Sequence, residues 1–432
     1  MTTPTFNPGD VSVRSLKLSA DNAVQSDGGL DIRDQLVELS IMESIMSPVI
    51  TGTIILNDSI GLIDKVPIAV LKTKLTIEYE VPGQELRVIE LFVTKVGSES
   101  KSQTSTYNVY VLELASKEIV NNALYLTTRD YSKDQIHNYI GKILTSEIKS
   151  GKAYNRIPTK GTPNFDNLIM KPFQAIHLMT KNAVALEGNS SNLFMFFENK
   201  YGFNFTTADD LISNPSYLNN KHTFVYTPAK PDDAKKDFYR DVLHYQQLSY
   251  QNPAKLLSRG AYDNKTLSLD LRTRVYKEEN FVFLNSKVKV NAEGGKPIDT
   301  VDQGFAAENL SSTTPSRFFN YIKTSNELNT KEKYLEEKLG RSAAYLEVFM
   351  QNMMRIMTWG DSEVTAGRRI YLKIGNAGYE RGLEDSQSSE KIVLEGQYLV
   401  TAVKHFFRKE KMNLRYYNSM ELVNPSFQKG PA

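Results

Sequence analysis

The sequence predicts an α+β, β-rich fold: a small antiparallel β-barrel, a mixed α/β domain, a long inserted excursion and a second small antiparallel β-barrel. Three observations carry this. Apolar residues alternate with period two from Val11 to Leu124 and again from Arg369 to Val423, they recur with a helical period in between, and Ala292–Thr330 is rich in Gly, Ser, Thr, Asn and Pro with only short apolar clusters. At about 150 residues per domain, 432 residues make two to four domains.

The best strand is Leu71–Val81, where Leu71, Thr73, Leu75, Ile77, Tyr79 and Val81 face one way and Lys72, Lys74, Thr76, Glu78 and Glu80 the other. It runs into Pro82-Gly83, a pair suited to a type II turn, because Pro presets the first central dihedral and Gly accepts positive φ at the second. Leu86–Val96 is the partner strand. Val11–Leu18, Leu36–Glu43, Gly52–Asn57 and Tyr107–Ala115 complete the first barrel, residues 1–125, with Asn57-Asp58-Ser59 and Gly97-Ser98 as breakers. In the mixed domain, residues 126–234, Ser132 and Gln135 form a capping box ahead of Ile136, Ile140, Ile143 and Leu144, on a helix reaching Ile148. A loop over 151–162 precedes a helix at Lys171–Val184 with Pro172 in its first turn, then strands at Asn192–Phe197 and Tyr201–Thr206.

Beyond it the pattern predicts a helix over 232–248 and strands at Gly260–Tyr262 and Leu267–Tyr276 around an Asp263-Asn264 turn. A long loop is uncommon inside a compact domain, so the excursion is expected to be either a mobile loop or a surface gripped by a partner. A helix follows at Lys333–Gln351, then strands at Arg369–Ile374, Lys391–Leu394, Tyr398–Phe407 and Asn413–Val423, the last two around a turn at Arg408–Lys411; residues 426–432 are a tail.

Composition narrows the function. With 52 Lys+Arg against 50 Asp+Glu the formal charge is +2, without the long-range positive field of a dedicated nucleic-acid binder. The chain has no Cys, hence no disulfide, thiolate nucleophile or Cys-ligated metal. None of its five His (His137, His177, His222, His244, His405) stands at helical spacing from another, and no HExxH pattern occurs, so no metal site is expected. Gly294-Gly295-Lys296-Pro297 lacks the glycine spacing of a phosphate loop and carries Pro where Ser or Thr binds magnesium; no G-x-S-x-G elbow occurs. Glu43, Glu78, Glu80 and Glu113 lie on or beside strands, the raw material of a carboxylate pair, though acidic residues on wet strand faces are the base case. The expectation is no catalytic residue, no cofactor and no metal. No run of 18 apolar residues occurs and Met1–Asp10 lacks the build of a signal peptide, so a soluble chain without a transmembrane segment is expected.

The last hairpin gathers Lys404, Arg408, Lys409, Lys411 and Arg415 against Glu410, either a contact for an acidic partner or a solvated turn that discourages edge-to-edge pairing. Adjacent aromatics there (Phe406-Phe407, Tyr416-Tyr417) put one ring on each face, and a ring outside the core favours an oligomer interface.

The order of elements, with Ile41-Met42-Glu43-Ser44 followed by Pro48–Asp58 and Gly61-Leu62, with Gly260-Ala261-Tyr262, Asp270 and Tyr276, and with Gly360-Asp361 and Ala366-Gly367 ahead of Ile370, resembles the central baseplate hub proteins of contractile-tailed bacteriophages, which carry the central spike. The resemblance spans most of the chain in pattern and order, and the excursion has no counterpart in it. It implies a homotrimer in which the second barrel is assembled from residues 235–285 and 350–425, with 286–349 as an inserted excursion and helix. Six similar barrels in a ring would then adapt the threefold spike to the sixfold tail tube and line the axial channel. The partners it implies are the central spike protein, the tail tube or its initiator, surrounding baseplate proteins, and the tape-measure protein in the channel, with no specific nucleic-acid binding. It places the protein in the virion tail baseplate after synthesis in the host cytoplasm. A cell-wall-degrading tail enzyme, a glycan-binding tail module and a tail-tube initiator or terminator are the alternatives.

Overall fold

The computed structural model describes residues 9–19, 29–59, 61, 68–101, 108–165, 168–188, 190–226, 240–249, 253–271, 273–282, 315–323, 335–350, 352–375, 392–410 and 413–424. Most of the excursion, the Gly294–Pro297 motif and the 426–432 tail lie outside the described residues.

The first region is all strand: β1 (Ser12–Ser19), β2 (Leu30–Asp31), β3 (Leu36–Ser44), β4 (Thr51–Asp58), β5 (Lys74–Glu80), β6 (Arg87–Lys101) and β7 (Asn108–Ala115). The period-two pattern is realised in β5, where Leu75, Ile77 and Tyr79 are buried between half-buried polar neighbours. The expected turn forms as well, with Gly83 at φ 81° and the Gln84 amide donating to the Val81 carbonyl at 2.9 Å. Of the two breakers, Asn57-Asp58-Ser59 ends β4, which stops at Asp58, whereas Gly97-Ser98 does not interrupt β6. β6 runs through Gly97-Ser98 by bulging between Val96 and Ser98, and β4 continues through Asn57 and Asp58 to pair with Val109 and Asn108.

The middle region contains α1 (Lys117–Leu124), α2 (Ile136–Ser146), β8 (Tyr154–Arg156), α3 (Pro172–Asn182), β9 (Phe194–Asn199), β10 (Gly202–Thr207) and α4 (Ala208–Ser213). Ile136, Ile140, Ile143 and Leu144 share the buried stripe of α2 as their spacing requires, and pack with Phe203 and Phe205 over the β8-β10-β9 sheet. The Ser132 capping box does not form. Gln135 occupies the N-cap without a side-chain cap, and Asp134 before it accepts from the Gln135 backbone amide at 2.8 Å and the Asn138 side-chain amide at 2.7 Å.

The remainder holds β11 (Leu218–Tyr226), β12 (Val242–Ser249), α5 (Pro253–Ser258), β13 (Asp263–Asp270), β14 (Tyr276–Val282), β15 (Phe318–Lys323), α6 (Leu335–Phe349), β16 (Met353–Trp359), β17 (Arg369–Gly375), β18 (Ile392–Glu410) and β19 (Asn413–Val423). Three expectations are corrected here. The described part of the 232–248 helix is the strand β12, whose backbone groups pair with β16 along Val242–Ser249. Asp263 and Asn264 are buried inside β13 instead of turning: Asn264 Nδ2 donates to the carbonyls of Gly260 and Gly340, each at 3.0 Å, so Gly260–Tyr262 precedes the strand, and β13 pairs antiparallel with β14 as far as Leu269–Tyr276. Finally, the described parts of Lys391–Leu394 and Tyr398–Phe407 join into the single strand β18, and pairing runs on through Arg408 and Lys409 to Glu410–Asn413, into the stretch expected to turn at Arg408–Lys411.

Thirteen strands form one sheet in the order β12-β16-β19-β18-β3-β4-β7-β6-β5-β1-β2, with β17 on β18 and β11 parallel to β17. No closed barrel is present among the described residues. The two halves share the sheet because β18 is long enough to pair with β17 at its start and β3 at its end. Each half nevertheless encloses its own core, Leu16, Leu39, Ile54, Leu75 and Leu112 with Phe407 and Tyr416 in one, and Phe224, Ile356, Leu372, Val400 and Met420 in the other. One isolated bridge crosses the gap in each, Asp10 to Arg415 in the first and Val225 to Asp241 in the second. A separate three-stranded sheet, β14-β13-β15, packs against α6.

Candidate functional site: the 360–367 junction

The loop joining β16 to β17 is where the three regions of the chain meet. From the first half, Gln84 Nε2 donates to Asp361 Oδ1 at 3.0 Å and its Oε1 accepts the Ser362 amide at 2.8 Å, so the Pro82-Gly83 turn grips the loop. From the middle, Asn199 Nδ2 donates to the Ala366 carbonyl at 2.9 Å, the Lys200 amide to Thr365 Oγ1 at 3.2 Å, and Lys200 Nζ pairs with Glu363 at 2.7 Å. From the second half, Asn418 Nδ2 donates to the Asp361 carbonyl at 2.7 Å and the Gly367 amide to the Val400 carbonyl at 2.9 Å.

Sequence explains the tightness. A Cβ on Gly360 would lie 2.0 Å from Tyr416 Cδ1, and one on Gly367, at φ 79°, 2.6 Å from Phe197 Cζ; both loop ends therefore require glycine. Beneath the loop lies Glu43, fully buried, with Oε1 2.7 Å from Arg87 Nη2 and Oε2 accepting from the Thr365 hydroxyl and, at 3.2 Å, the Ala366 amide. Arg87 Nη1 also donates to the Ser362 carbonyl at 3.2 Å. Burial pushes the Glu43 carboxyl up, but the Arg87 guanidinium and the other donors outweigh it and hold it below its ordinary range. Burial also works against the Arg87 charge, and the facing Tyr79 and Glu43 oxygens keep it ionised. His405 Nδ1 lies 2.6 Å from the Tyr416 hydroxyl, and its Nε2 is 3.8 Å from Glu43. That last contact is no ion pair at neutral pH, because burial and the neighbouring Arg87 push the imidazole down to about 4.

A second tie joins the middle region to the first half. Lys152 Nζ sits 2.7 Å from Glu118 and 2.5 Å from Glu198, whose other oxygen accepts the Ile50 amide at 3.0 Å. Burial raises the Glu198 carboxyl despite Lys152.

The carboxylates singled out from sequence do not converge. Glu43 joins Arg87, Glu80 pairs with Arg14 and Glu113 with Lys95, and the first of these is sealed from solvent, so the geometry makes a clamp. Of the histidines, His137 is buried against Thr159 (3.0 Å) and His405 lies in the junction, while His177 and His244 are exposed on separate elements. Among the described residues no group of three or more His, Asp or Glu is placed to hold a metal. The last hairpin splits as the adjacent rings required: Phe407 and Tyr416 stack inside the first core at 4.4 Å, whereas half-buried Phe406 and Tyr417 lie on the opposite face, with Trp359 stacked on Tyr417 at 5.2 Å. Arg415 is held by Asp10 at 2.6 Å and Lys404 lies over the Phe406 ring. Arg87 was not singled out from sequence, and His405 only as one of the five histidines weighed as metal ligands, although the signal for the cluster is there: Glu43 is in phase with inward-facing Leu39 and Ile41, Arg87 with Ile89 and Leu91, and His405 with Val403 and Phe407.

No protein-family model and no curated protein sequence matches the chain. Among the described residues no helix is long and apolar enough to cross a membrane. Solved structures do match. A tail protein of Neisseria meningitidis aligns with a TM-score of 0.53 at 8% identity, over 95% of this chain and 96% of that one. The 43 kDa tail protein of prophage MuSo2 from Shewanella oneidensis aligns with a TM-score of 0.52 at 10% identity, over 95% and 98%. Across nearly its whole length, this chain shares its fold with these two tail proteins.

Proposed function

We propose that the chain is the structural subunit of a phage tail baseplate hub, acting by geometry and not by catalysis. The observation that carries this reading is the doubled build of the large sheet: β1 with β3–β7 around one core, β11, β12 and β16–β19 around another, fused through the β3–β18 ladder and locked at the 360–367 loop. We read each half as a barrel-like module whose last gap is bridged at Asp10–Arg415 or Val225–Asp241. Three such chains offer six similar modules in a ring, the arrangement that adapts a threefold spike to a sixfold tube. The hub would meet the spike protein, the tube or its initiator and the surrounding baseplate proteins, and would line a channel for the tape-measure protein and DNA. A formal charge of +2 from nearly balanced charges suits a wall that DNA passes without being held. The half-buried outer aromatics Phe406, Tyr417 and Trp359 are our candidates for a subunit contact.

The native mass of the purified protein tests the reading. Three times 48.9 kDa supports the hub, whereas a stable monomer or a sixfold ring of whole chains overturns it.

A further inference from the structure

A groove of about 710 Å³ lies away from the junction, between α3, β9, α6 and the β3–β4 turn. Its walls are apolar, built from Ile45, Met46, Phe173, Ile176, Phe194 and Leu339. Set among them is Lys338 on α6, only 7% exposed. Its ammonium donates to the carbonyls of Thr180 at 3.0 Å and Ala183 at 2.8 Å, at the C-terminal end of α3, and lies 5.7 Å from the centroid of the Phe194 ring.

An ammonium has three donors, and two are used. The helix end supplies partial negative charge, but no carboxylate among the described residues pairs with Lys338, and none lines the groove. Burial accordingly pushes this lysine down to about 7, with no acidic group among the described residues to oppose the shift. Of the other titratable groups facing the groove, His177 and Lys181 on exposed positions of α3, Lys181 adds to the positive side.

We infer that this groove docks an acidic side chain flanked by apolar residues, carried on a segment of a partner protein. The carboxylate would take the third Lys338 donor and supply the missing counter-charge, and the apolar flanks would cover the walls. A polypeptide suits the shape better than a small molecule. Small ligands are held with 70–90% or more of their surface buried, whereas this groove is open along one side and Met46 stands 61% exposed at its lip. Methionine at such an edge adapts to an irregular partner. The inference does not depend on the hub reading, since it rests on the groove and its unpaired cation alone.

The test, run at pH 6 where Lys338 carries its proton, uses the intact protein and two labelled, acetylated and amidated peptides, Leu-Phe-Glu-Leu-Phe and its Gln counterpart, followed by fluorescence anisotropy. The Glu peptide is expected to bind at least tenfold more tightly, and Lys338→Met should erase that preference. Lys181→Glu, at an exposed rim position where folding is not at stake, should weaken the Glu peptide severalfold. Equal affinities, no binding of either peptide, or a preference that survives Lys338→Met overturns the proposal. Dodecanoate binding more tightly than the Glu peptide would assign the groove to a small amphiphile and overturn it too.

Discussion

Arg87 and Lys338 are each 7% exposed, yet the protein treats the two cations in opposite ways. Arg87 has a carboxylate at 2.7 Å and a carbonyl at 3.2 Å, and stays charged where three parts of the chain converge. Lys338 has two carbonyls, no carboxylate among the described residues, and a wall of apolar side chains opening to solvent. Burial is therefore not what distinguishes a lock from a docking site; the counter-charge is. A buried ion with its partner in place holds the chain together, and one without a partner leaves a demand that another molecule can satisfy.

Breaking the lock should have the largest effect. Arg87→Met strands Glu43 in the interior, and removing one partner of a buried pair costs about 3–5 kcal/mol. The loss should appear as a large downward shift of the urea midpoint. Replacing Glu43 as well, in Glu43→Leu with Arg87→Met, should restore much of it because no uncompensated charge remains. A single variant as stable as wild type would mean that the junction is not held by this pair.

Lys338 should reveal itself through pH. Unfolded, its ammonium titrates near 10.5; folded, it is pushed down to about 7. Between those values the unfolded chain binds the proton and the folded chain does not, so stability rises with pH across the window, by at most about 1.4 kcal/mol per pH unit. Below pH 7 both states carry the charge and this contribution is flat. Lys338→Met should lack that rise when unfolding midpoints are compared at pH 7 and 9.5. A rise of equal size in the variant would assign the pH dependence elsewhere.

How much of this was legible beforehand depends on where the deciding partner sits. The strand at Leu75, Ile77 and Tyr79 and the helix at Ile136, Ile140 and Ile143 follow from spacing because one face of each meets a core. The stretch 242–249 was misread because most of its described side chains are exposed; what makes it a strand is the β16 edge more than a hundred residues on. Asp263 and Asn264 read as turn residues by type, but Ser316 and Gly340 supply their partners from distant chain. At the junction, Glu43 and the glycines at 360 and 367 stood out individually. Their convergence did not, because a period-two pattern reports which way a residue faces and not which charge meets it from a strand 44 residues away.

The smallest expected effect sharpens the same contrast from the outside. Lys95 and Glu113 face each other across β6 and β7 at 3.0 Å, close to the Glu43–Arg87 distance, but their side chains are 64% and 47% exposed. Water solvates both ions in the folded and the unfolded chain, and holding two long side chains in one geometry offsets most of the attraction. Lys95→Ala should therefore change stability by no more than about 0.5 kcal/mol, and the change should shrink further at high salt. A loss comparable to that of Arg87→Met would mean that pairing itself, regardless of burial, holds this sheet together. A negligible loss leaves the interior as the place where a counter-charge decides whether a lysine or arginine locks the fold or waits for a partner.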